Sequence, residues 1–202
     1  MQHAFDRNDF MNSIYLVLDM ENDLVHADGP NGKAPYGEQS RGRNIVANTR
    51  RAIDKARAAG VKVGFVRVGF SSDYRECPVN SPIFAGARKN GIFKLGEWGT
   101  QTHPDLGQQP TDLDIVKHRV SPFHGTNLDL ILRTHDVRRI FCSGISTNAV
   151  VQAVVRDGHD RDYEMIVLED GCCALSAEEH ESATKLLQRF CKITNSSDVV
   201  FA

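Results

Sequence analysis

The sequence has no long hydrophobic run. No apolar stretch in its 202 residues approaches the roughly 20 residues that a bilayer span needs, so we expect no membrane interaction. The segment Met1–Arg7 also lacks the apolar region of a signal peptide. The five cysteines are odd in number and irregularly spaced, which is not typical of a secreted disulfide framework. These absences predict a reduced, cytoplasmic protein.

The sequence also lacks a strong charge of either sign. A formal net charge of −2 provides no basic field for nucleic acid and no polybasic patch for a membrane surface. The turn after the first apolar run contains no G-x-G-x-x-G fingerprint, so a dinucleotide is not expected and we predict no cofactor.

The length of the chain predicts a single domain. A chain of 202 residues fits one domain with a substantial core, and we expect residues 1–202 to form it.

Apolar runs alternate with amphipathic helical patterns along the chain. This alternation predicts an α/β fold, a three-layer, doubly wound (Rossmann-like), mainly parallel six-stranded sheet. Helices are predicted from Asn44 to Ala59, from a Thr126 N-cap through Leu132, from Asn148 to Gly158, and from a Ser176 N-cap to Cys191. Strands are predicted at Ile14–Leu18, Val61–Val68, Leu113–Val116, Arg138–Ser143, Tyr163–Leu168 and Lys192–Thr194.

Two segments show little periodicity. The polar segment from Asp28 to Gly42 predicts no regular element. The segment from Gly69 to Pro110 is rich in Gly, Pro, Ser and Asn, and a long loop of this kind often serves as a lid or an oligomer contact. The loop contains the aromatic residues Phe84, Phe93 and Trp98. These side chains either cover a pocket or anchor the loop to the body of the domain.

Three strand ends carry side chains or turns suited to chemistry. Asp19 closes the first apolar run, Lys117 closes the third, and the turn Gly144–Val151 follows the fourth. In open α/β sheets the active crevice lies beyond the carboxyl ends of the strands. We therefore expect a carboxylate, an ammonium group and a helix-initiating turn to converge in one pocket.

These segments resemble the isochorismatase-like hydrolases, also called cysteine hydrolases. The resemblance rests on Asp19–Asp23, on Lys117–Thr126 and on Gly144–Val151, in that order along the chain. It implies a single isochorismatase-like hydrolase domain. Glu21 departs from the D-x-Q pattern of the family, and Val150 occupies the position where most members carry the cysteine nucleophile.

The resemblance also implies roles for individual residues. A cis peptide is expected between Ile145 and Ser146, which would aim the Ser146 and Thr147 amides into the pocket as oxyanion donors. Because a valine methyl group cannot attack a carbonyl carbon, hydrolysis through a thioester is not expected at Val150. Isochorismatases lack this cysteine too, and opening a vinyl ether needs only a general acid. Asp19 is the candidate acid, and Lys117 would orient it and balance charge.

Substrate binding and alternative functions stay open at this point. Arg67 and Arg119 are candidate clamps for a small anionic substrate, because a guanidinium binds a carboxylate bidentately. Phe123 and His124 lie in the Lys117 motif and are candidate pocket residues, although a loop histidine is also commonly solvated. One alternative is a catalytically silent small-molecule-binding protein. Another is an amidase that uses a relocated cysteine at Cys172 or Cys173.

The remaining expectations concern metals and assembly. Nicotinamidase-like relatives carry an Asp-His-His site after the second strand, whereas the segment Gly69–Tyr74 here contains no histidine, so no metal is expected. The family commonly forms dimers or tetramers. The loop from Gly69 to Pro110 holds many apolar residues that need cover. We therefore expect a homodimer or a homotetramer that uses part of this loop.

Overall fold

Six parallel strands form one sheet in the computed structural model, which describes residues 12–201 of the chain. Their order across the sheet is β3-β2-β1-β4-β5-β6. The prediction of a doubly wound, six-stranded α/β sheet is confirmed. The predicted absence of a signal peptide concerns Met1–Arg7, which lie outside the described residues. The strands are β1 (Ser13–Leu18), β2 (Lys62–Val68), β3 (Leu113–Lys117), β4 (Arg139–Ile145), β5 (Glu164–Cys173) and β6 (Lys192–Thr194).

The strand order reverses at the centre of the sheet. The chain moves outward from β1 through β2 to β3, then returns to pair β4 against the other side of β1. In register, Leu18 lies beside Gly144 of β4 and beside Val66 of β2. This topological switch point places the ends of β1 and β4 next to each other, at the edge of the sheet where ligands bind in such folds.

Helices cover both faces of the sheet. Helices α1 to α3 lie on one face and α5 to α7 on the other, while α4 belongs to the connection between β2 and β3. The helices are α1 (Asn22–Val25), α2 (Pro35–Gly42), α3 (Ile45–Ala58), α4 (Ala85–Asn90), α5 (Leu128–Thr134), α6 (Gln152–His159) and α7 (Ala177–Leu187). None of the helices within residues 12–201 has the length and hydropathy required to span a bilayer.

The continuous apolar sequence of β1 follows from burial on both faces. Tyr15 and Val17 pack with α3, whereas Leu16 and Leu18 point to the opposite face and pack with α5 and α6. Because every residue of β1 is buried, a polar residue inside the strand would need an internal partner. Each large apolar side chain that is fully buried contributes roughly 1.5–3 kcal/mol relative to an exposed one.

Helices α1, α2 and α4 were not predicted. Helix α2 lies in the segment Asp28–Gly42, and α4 lies in the segment Gly69–Pro110, both of which had been interpreted as irregular. Pro35 at the first turn favours the start of α2. Neither helix has a side-chain cap or a long apolar stripe, so tertiary contacts rather than periodicity stabilise them.

Of the two predicted N-caps, Ser176 is present as predicted, whereas the N-cap position of α5 is Asn127, one residue after Thr126, and carries no side-chain cap. Ser176 Oγ accepts from the Glu179 amide at 3.2 Å, as predicted for α7. Thr126 Oγ1 accepts from the Leu128 amide at 3.1 Å, but the Asp129 carboxylate contacts Tyr163 and Arg133 instead of completing a capping box. The fifth strand extends to Cys173, five residues beyond its predicted end at Leu168.

The connection between β2 and β3 forms a small apolar cluster of its own. The cluster contains Phe70, Tyr74, Phe84, Ala87 and Phe93, and all five are buried within this chain. Among the apolar residues of this loop, Val79, Ile83 and Trp98 stay 89%, 55% and 45% exposed. The loop thus covers most of its own apolar surface, which weakens the argument that led to a homo-oligomer, and the assembly state stays a prediction.

We predict that Gly144→Ala destabilises the fold. Gly144 has φ of 140°, and a Cβ at this position would lie 2.0 Å from the Leu18 carbonyl oxygen in the neighbouring strand. A loss on the order of 2–4 kcal/mol is expected in denaturant unfolding. Gly42→Ala is the control, because Gly42 ends α2 with open space around it and should be neutral or slightly stabilising. Equal stability of both variants would contradict this account of the switch point.

Candidate active site

A buried ion pair joins the ends of β1 and β3. Lys117 Nζ donates to Asp19 Oδ2 at 2.8 Å, and it also donates to the Arg119 carbonyl at 3.1 Å. The two side chains are only 1% and 4% exposed. Asp19 has a positive φ of 53°, and its amide donates to the Val66 carbonyl of β2 at 2.8 Å. The backbone of the central strands therefore holds the carboxylate at the edge of the sheet.

The two oxygens of Asp19 differ in their surroundings. Oδ2 accepts from Lys117, whereas Oδ1 is buried and has no hydrogen-bond partner among the described residues. Burial raises the pKa of Asp19 above its ordinary value, and the charge and hydrogen bond of Lys117 only partly oppose this shift. Burial is the larger of the two effects on the pKa of this carboxyl group. A proton held by Asp19 has a free position on Oδ1.

Glu21 lies two residues after Asp19 and is fully buried. Neither of its carboxylate oxygens has a hydrogen-bond partner within residues 12–201. Burial raises the pKa of Glu21 well above its ordinary range, and the neighbouring Asp19 charge raises it further. The sequence marks Glu21 as a departure from the D-x-Q pattern. It gives no sign that this carboxyl group is enclosed without a partner.

The turn after β4 forms the next wall of the site. The peptide bond between Ile145 and Ser146 is cis, at the position that the resemblance implies. A single π-helical turn, Thr147–Val151, follows and leads directly into α6. Ile145, Ser146 and Val150 line the same cavity as Asp19 and Lys117. The Ser146 side chain is hydrogen-bonded to Tyr36, so α2 contacts this turn.

The Thr147 side chain faces a partly buried polar network rather than the cavity. Thr147 Oγ1 lies 2.8 Å from His180 Nδ1, and His180 Nε2 lies 2.6 Å from Glu169 Oε1. Arg43 Nη2 donates to the same Glu169 oxygen at 2.5 Å. The network links β5, α7 and the segment before α3 to the turn. Sequence reasoning missed it, because its members lie far apart in the chain and match no motif.

The cavity enclosed by these elements has a volume of about 260 Å³. Its outer wall comes from the β2–β3 connection, where Phe84, Ala87 and Phe93 contribute apolar surface. Asp23 Oδ2 accepts from the Phe93 amide at 2.7 Å and so ties this wall to α1. Of the two roles considered for the loop aromatics, covering a pocket or anchoring the loop, Phe84 and Phe93 have the first, because both line the cavity. Trp98 does not line the cavity and contacts His26 edge-on.

The two arginines predicted to bind substrate lie elsewhere. Arg67 donates from Nε and Nη2 to the two oxygens of Asp114, at 2.7 and 2.6 Å, and from Nη1 to the Thr100 carbonyl. Successive side chains of β2 point to opposite faces of the sheet. Val68 lines the cavity, so its neighbour Arg67 points away from it. Arg119 Nη1 donates to the carbonyls of Glu76 and His118. The predicted arginine clamp for an anionic substrate is therefore not formed.

Phe123 and His124 also do not line the cavity. Phe123 is buried in the core on the α5 and α6 side, where it stacks on Tyr163 at 6.1 Å between ring centroids. His124 is exposed at the protein surface. The Lys117 motif continues away from the cavity after Val120, so only Lys117 and Val120 from this segment line it.

The two adjacent cysteines belong to β5 and are fully buried. Neither lines the cavity, and Cys172 Sγ lies 3.3 Å from the Leu168 carbonyl within the strand. Burial raises the pKa of Cys172, and it raises that of Cys173 to about 12. Because the thiolate is the reactive form, this environment does not suit a relocated nucleophile.

Within the described residues, no three His, Cys, Asp or Glu side chains converge as a metal site would require.

Comparisons with known proteins agree with the motif assignment. The family described as "Isochorismatase domain" matches residues 13–198. The chain belongs to the isochorismatase family of hydrolases. It is similar to the uncharacterized isochorismatase family protein YecD of Escherichia coli O157:H7, with 32% identity over 185 residues, 89% of this chain and 94% of YecD.

Two further relatives extend the comparison. Ureidoacrylate amidohydrolase RutB of Pantoea ananatis (strain LMG 20103) is 32% identical over 167 residues, which cover 77% of this chain and 66% of RutB. The crystal structure of a cysteine hydrolase from Pseudomonas syringae pv. phaseolicola 1448A has a TM-score of 0.82 at 24% identity, covering 93% of this chain and 90% of that one. At this identity the structural match shows the fold alone.

We predict that Glu21→Gln weakens the pH dependence of stability. A carboxyl group with a raised pKa in the folded state contributes stability that is present below its ordinary pKa of 4.5 and is lost as pH rises through the folded pKa. Glutamine cannot ionise, so the fall in melting temperature between pH 5 and 8 should shrink by about 3 °C or more, the shift that about 1 kcal/mol produces in a domain of this size.

Glu181→Gln is the matched control, because Glu181 carries the same charge on the exposed surface of α7. Its pH profile should follow that of the unmodified protein. Parallel profiles for Glu21→Gln and the unmodified protein would show that Glu21 does not hold a proton in the folded state.

Proposed function

We propose that this protein hydrolyses a small molecule by acid catalysis at Asp19, without a covalent intermediate on a cysteine. The observation that carries the proposal is Oδ1 of Asp19, which has no hydrogen-bond partner within residues 12–201 and is buried at a cavity that Val150 also lines. A valine at the family's nucleophile position leaves no group at that point that could form a bond to the substrate. The chemistry then requires a proton donor and water.

The surroundings of Asp19 support the role of proton donor. Burial raises its pKa, so the neutral carboxylic acid persists to higher pH than for an exposed aspartate. Lys117 occupies only Oδ2, which leaves Oδ1 to carry the proton. After proton transfer, the resulting carboxylate would be stabilised by the same ammonium group at 2.8 Å.

Opening of a vinyl ether is the reaction that this arrangement favours. The proton on Asp19 Oδ1 would pass to the vinyl carbon, and the cation formed at the ether carbon would take up water. The added water would return a proton to Asp19, and the hemiacetal would then separate into an alcohol and a carbonyl compound. The amides of Ser146 and Thr147 in the cis turn are proposed to orient the oxygen of the substrate.

Amide hydrolysis by water is the second candidate. The similarity to RutB favours it, because that relative is named an amidohydrolase. In this reaction ionised Asp19 would take a proton from water, and the turn after β4 would hold the developing oxyanion. The two candidates need opposite protonation states of Asp19, so their rates would depend on pH in opposite directions.

We predict that Asp19→Asn abolishes turnover in a panel of small vinyl ethers, esters and amides. Removing a general acid or base typically lowers the rate by about 10²–10⁴-fold. For vinyl ethers the unmodified protein should lose activity as pH rises through the pKa of Asp19, because only the neutral acid can donate a proton. Rates are measured by chromatography of the products across a pH series.

The double variant Asp19→Asn with Lys117→Met controls for folding, because it leaves no unpaired buried charge. It should fold and be inactive. Turnover at the original rate in either variant would refute Asp19 as the acid. Absence of turnover by the unmodified protein across the whole panel would instead favour a catalytically silent binding protein.

A further inference from the structure

The cavity wall is mainly apolar. Ten of its seventeen lining residues have apolar side chains, and four others are neutral polar residues. The apolar surface comes from three directions: the β2–β3 connection with Phe84 and Phe93, the strand end at Val68, and the turn at Val150. A wall of this kind favours the burial of hydrocarbon surface, at roughly 25 cal/mol per Å² of apolar area removed from water.

The charged groups on the wall are engaged with the protein itself. Asp19 and Lys117 are the two charged residues that line the cavity in the described chain; Lys117 donates to Asp19 Oδ2 and to the Arg119 carbonyl, and its side chain is only 1% exposed. An anionic substrate group would therefore meet no exposed cation that is free of protein partners, also when Asp19 holds its proton. Transfer of an ion from water into a buried site costs several kcal/mol unless a partner compensates for it.

The nearby arginines are engaged outside the cavity. Both guanidinium groups considered above as clamps donate to Asp114 or to backbone carbonyls. Arg88 belongs to α4, the helix that carries part of the cavity wall, and donates to the carbonyls of Asp73 and Tyr74. Turning one of these arginines into the cavity would break at least two hydrogen bonds.

We propose that the site takes an uncharged substrate with an apolar body, rather than an anionic one. The apolar body would pack against Phe84, Phe93 and Val150, and a neutral polar group would contact Asn31, Asn90 or Tyr36 near the rim. The volume of about 260 Å³ lies just below the range of roughly 300–1,000 Å³ that is common for ligand pockets, so the substrate is small. This inference names the substrate class of the site proposed above and rests on that proposal.

Matched neutral and anionic probes test the inference. Benzamide and benzoate have nearly the same shape and differ in charge, as do pentanamide and pentanoate. Isothermal titration calorimetry with the unmodified full chain should show each amide binding at least tenfold more tightly than its carboxylate. Equal or tighter binding of the carboxylates would overturn the inference, and so would the binding of no probe to the folded protein.

A gain-of-function pair makes the test sharper. Asn90 lies at the cavity rim at the exposed end of α4, and Asn90→Arg adds the cation that the wall lacks. This variant should tighten benzoate binding at least tenfold with little effect on benzamide. Ala85→Arg adds the same charge to the exposed start of α4, outside the cavity, and should leave both affinities unchanged. A similar gain in benzoate affinity in both variants would show that the added charge attracts the anion from anywhere on the surface. The cavity would then not discriminate between neutral and anionic ligands.

Binding and turnover separate this inference from the proposed function. If the amides are preferred but Asp19→Asn retains full turnover, the acid mechanism fails and the substrate class stands. If Asp19→Asn abolishes turnover of an anionic substrate that also binds more tightly than its neutral analogue, the mechanism stands and the substrate class fails.

Discussion

The site depends on the enclosure of one carboxylate with one ammonium group. Asp19 and Lys117 end strands that are not neighbours, since β2 lies between them, and only the common edge of a parallel sheet brings them within 2.8 Å. The pair leaves Oδ1 of Asp19 with no partner in the described part of the chain, and burial favours the proton-bearing form of this carboxyl group. The cis turn, the apolar wall and Val150 then determine what can approach that oxygen.

The sequence predicted the framework of this site for physical reasons. Buried parallel strands appear as continuous apolar runs, and a charged residue such as Asp19 or Lys117 at the end of a run marks the sheet edge. The turn Gly144–Val151 was recognised from its motif. Helix α2 and helix α4 were not predicted, because both are short and are stabilised by tertiary contacts rather than by apolar periodicity.

The lining of the cavity was predicted less well than its centre. Whether an arginine points into a pocket depends on which carboxylate or carbonyl group lies nearest to it in space. Arg67 Nε donates to Asp114 Oδ1 at 2.7 Å, which holds this side chain outside the cavity. The same limit applies to the Thr147–His180–Glu169 network and to the carboxyl group of Glu21, which has no hydrogen-bond partner among residues 12–201. Each arises from residues on different elements, so spacing along the chain carries no signal for it.

A titration of the Asp19 carboxyl group tests the proposed acid catalysis most directly. Carbon-13 labelling of aspartate, with Asp19→Asn to assign the resonance, allows the carboxyl group to be titrated by NMR without any substrate. The account predicts that Asp19 stays neutral to a pH clearly above 3.8, its ordinary value, because burial outweighs the attraction of Lys117. A titration midpoint at or below 3.8 would show a permanently ionised partner of Lys117, and acid catalysis by this residue would be contradicted.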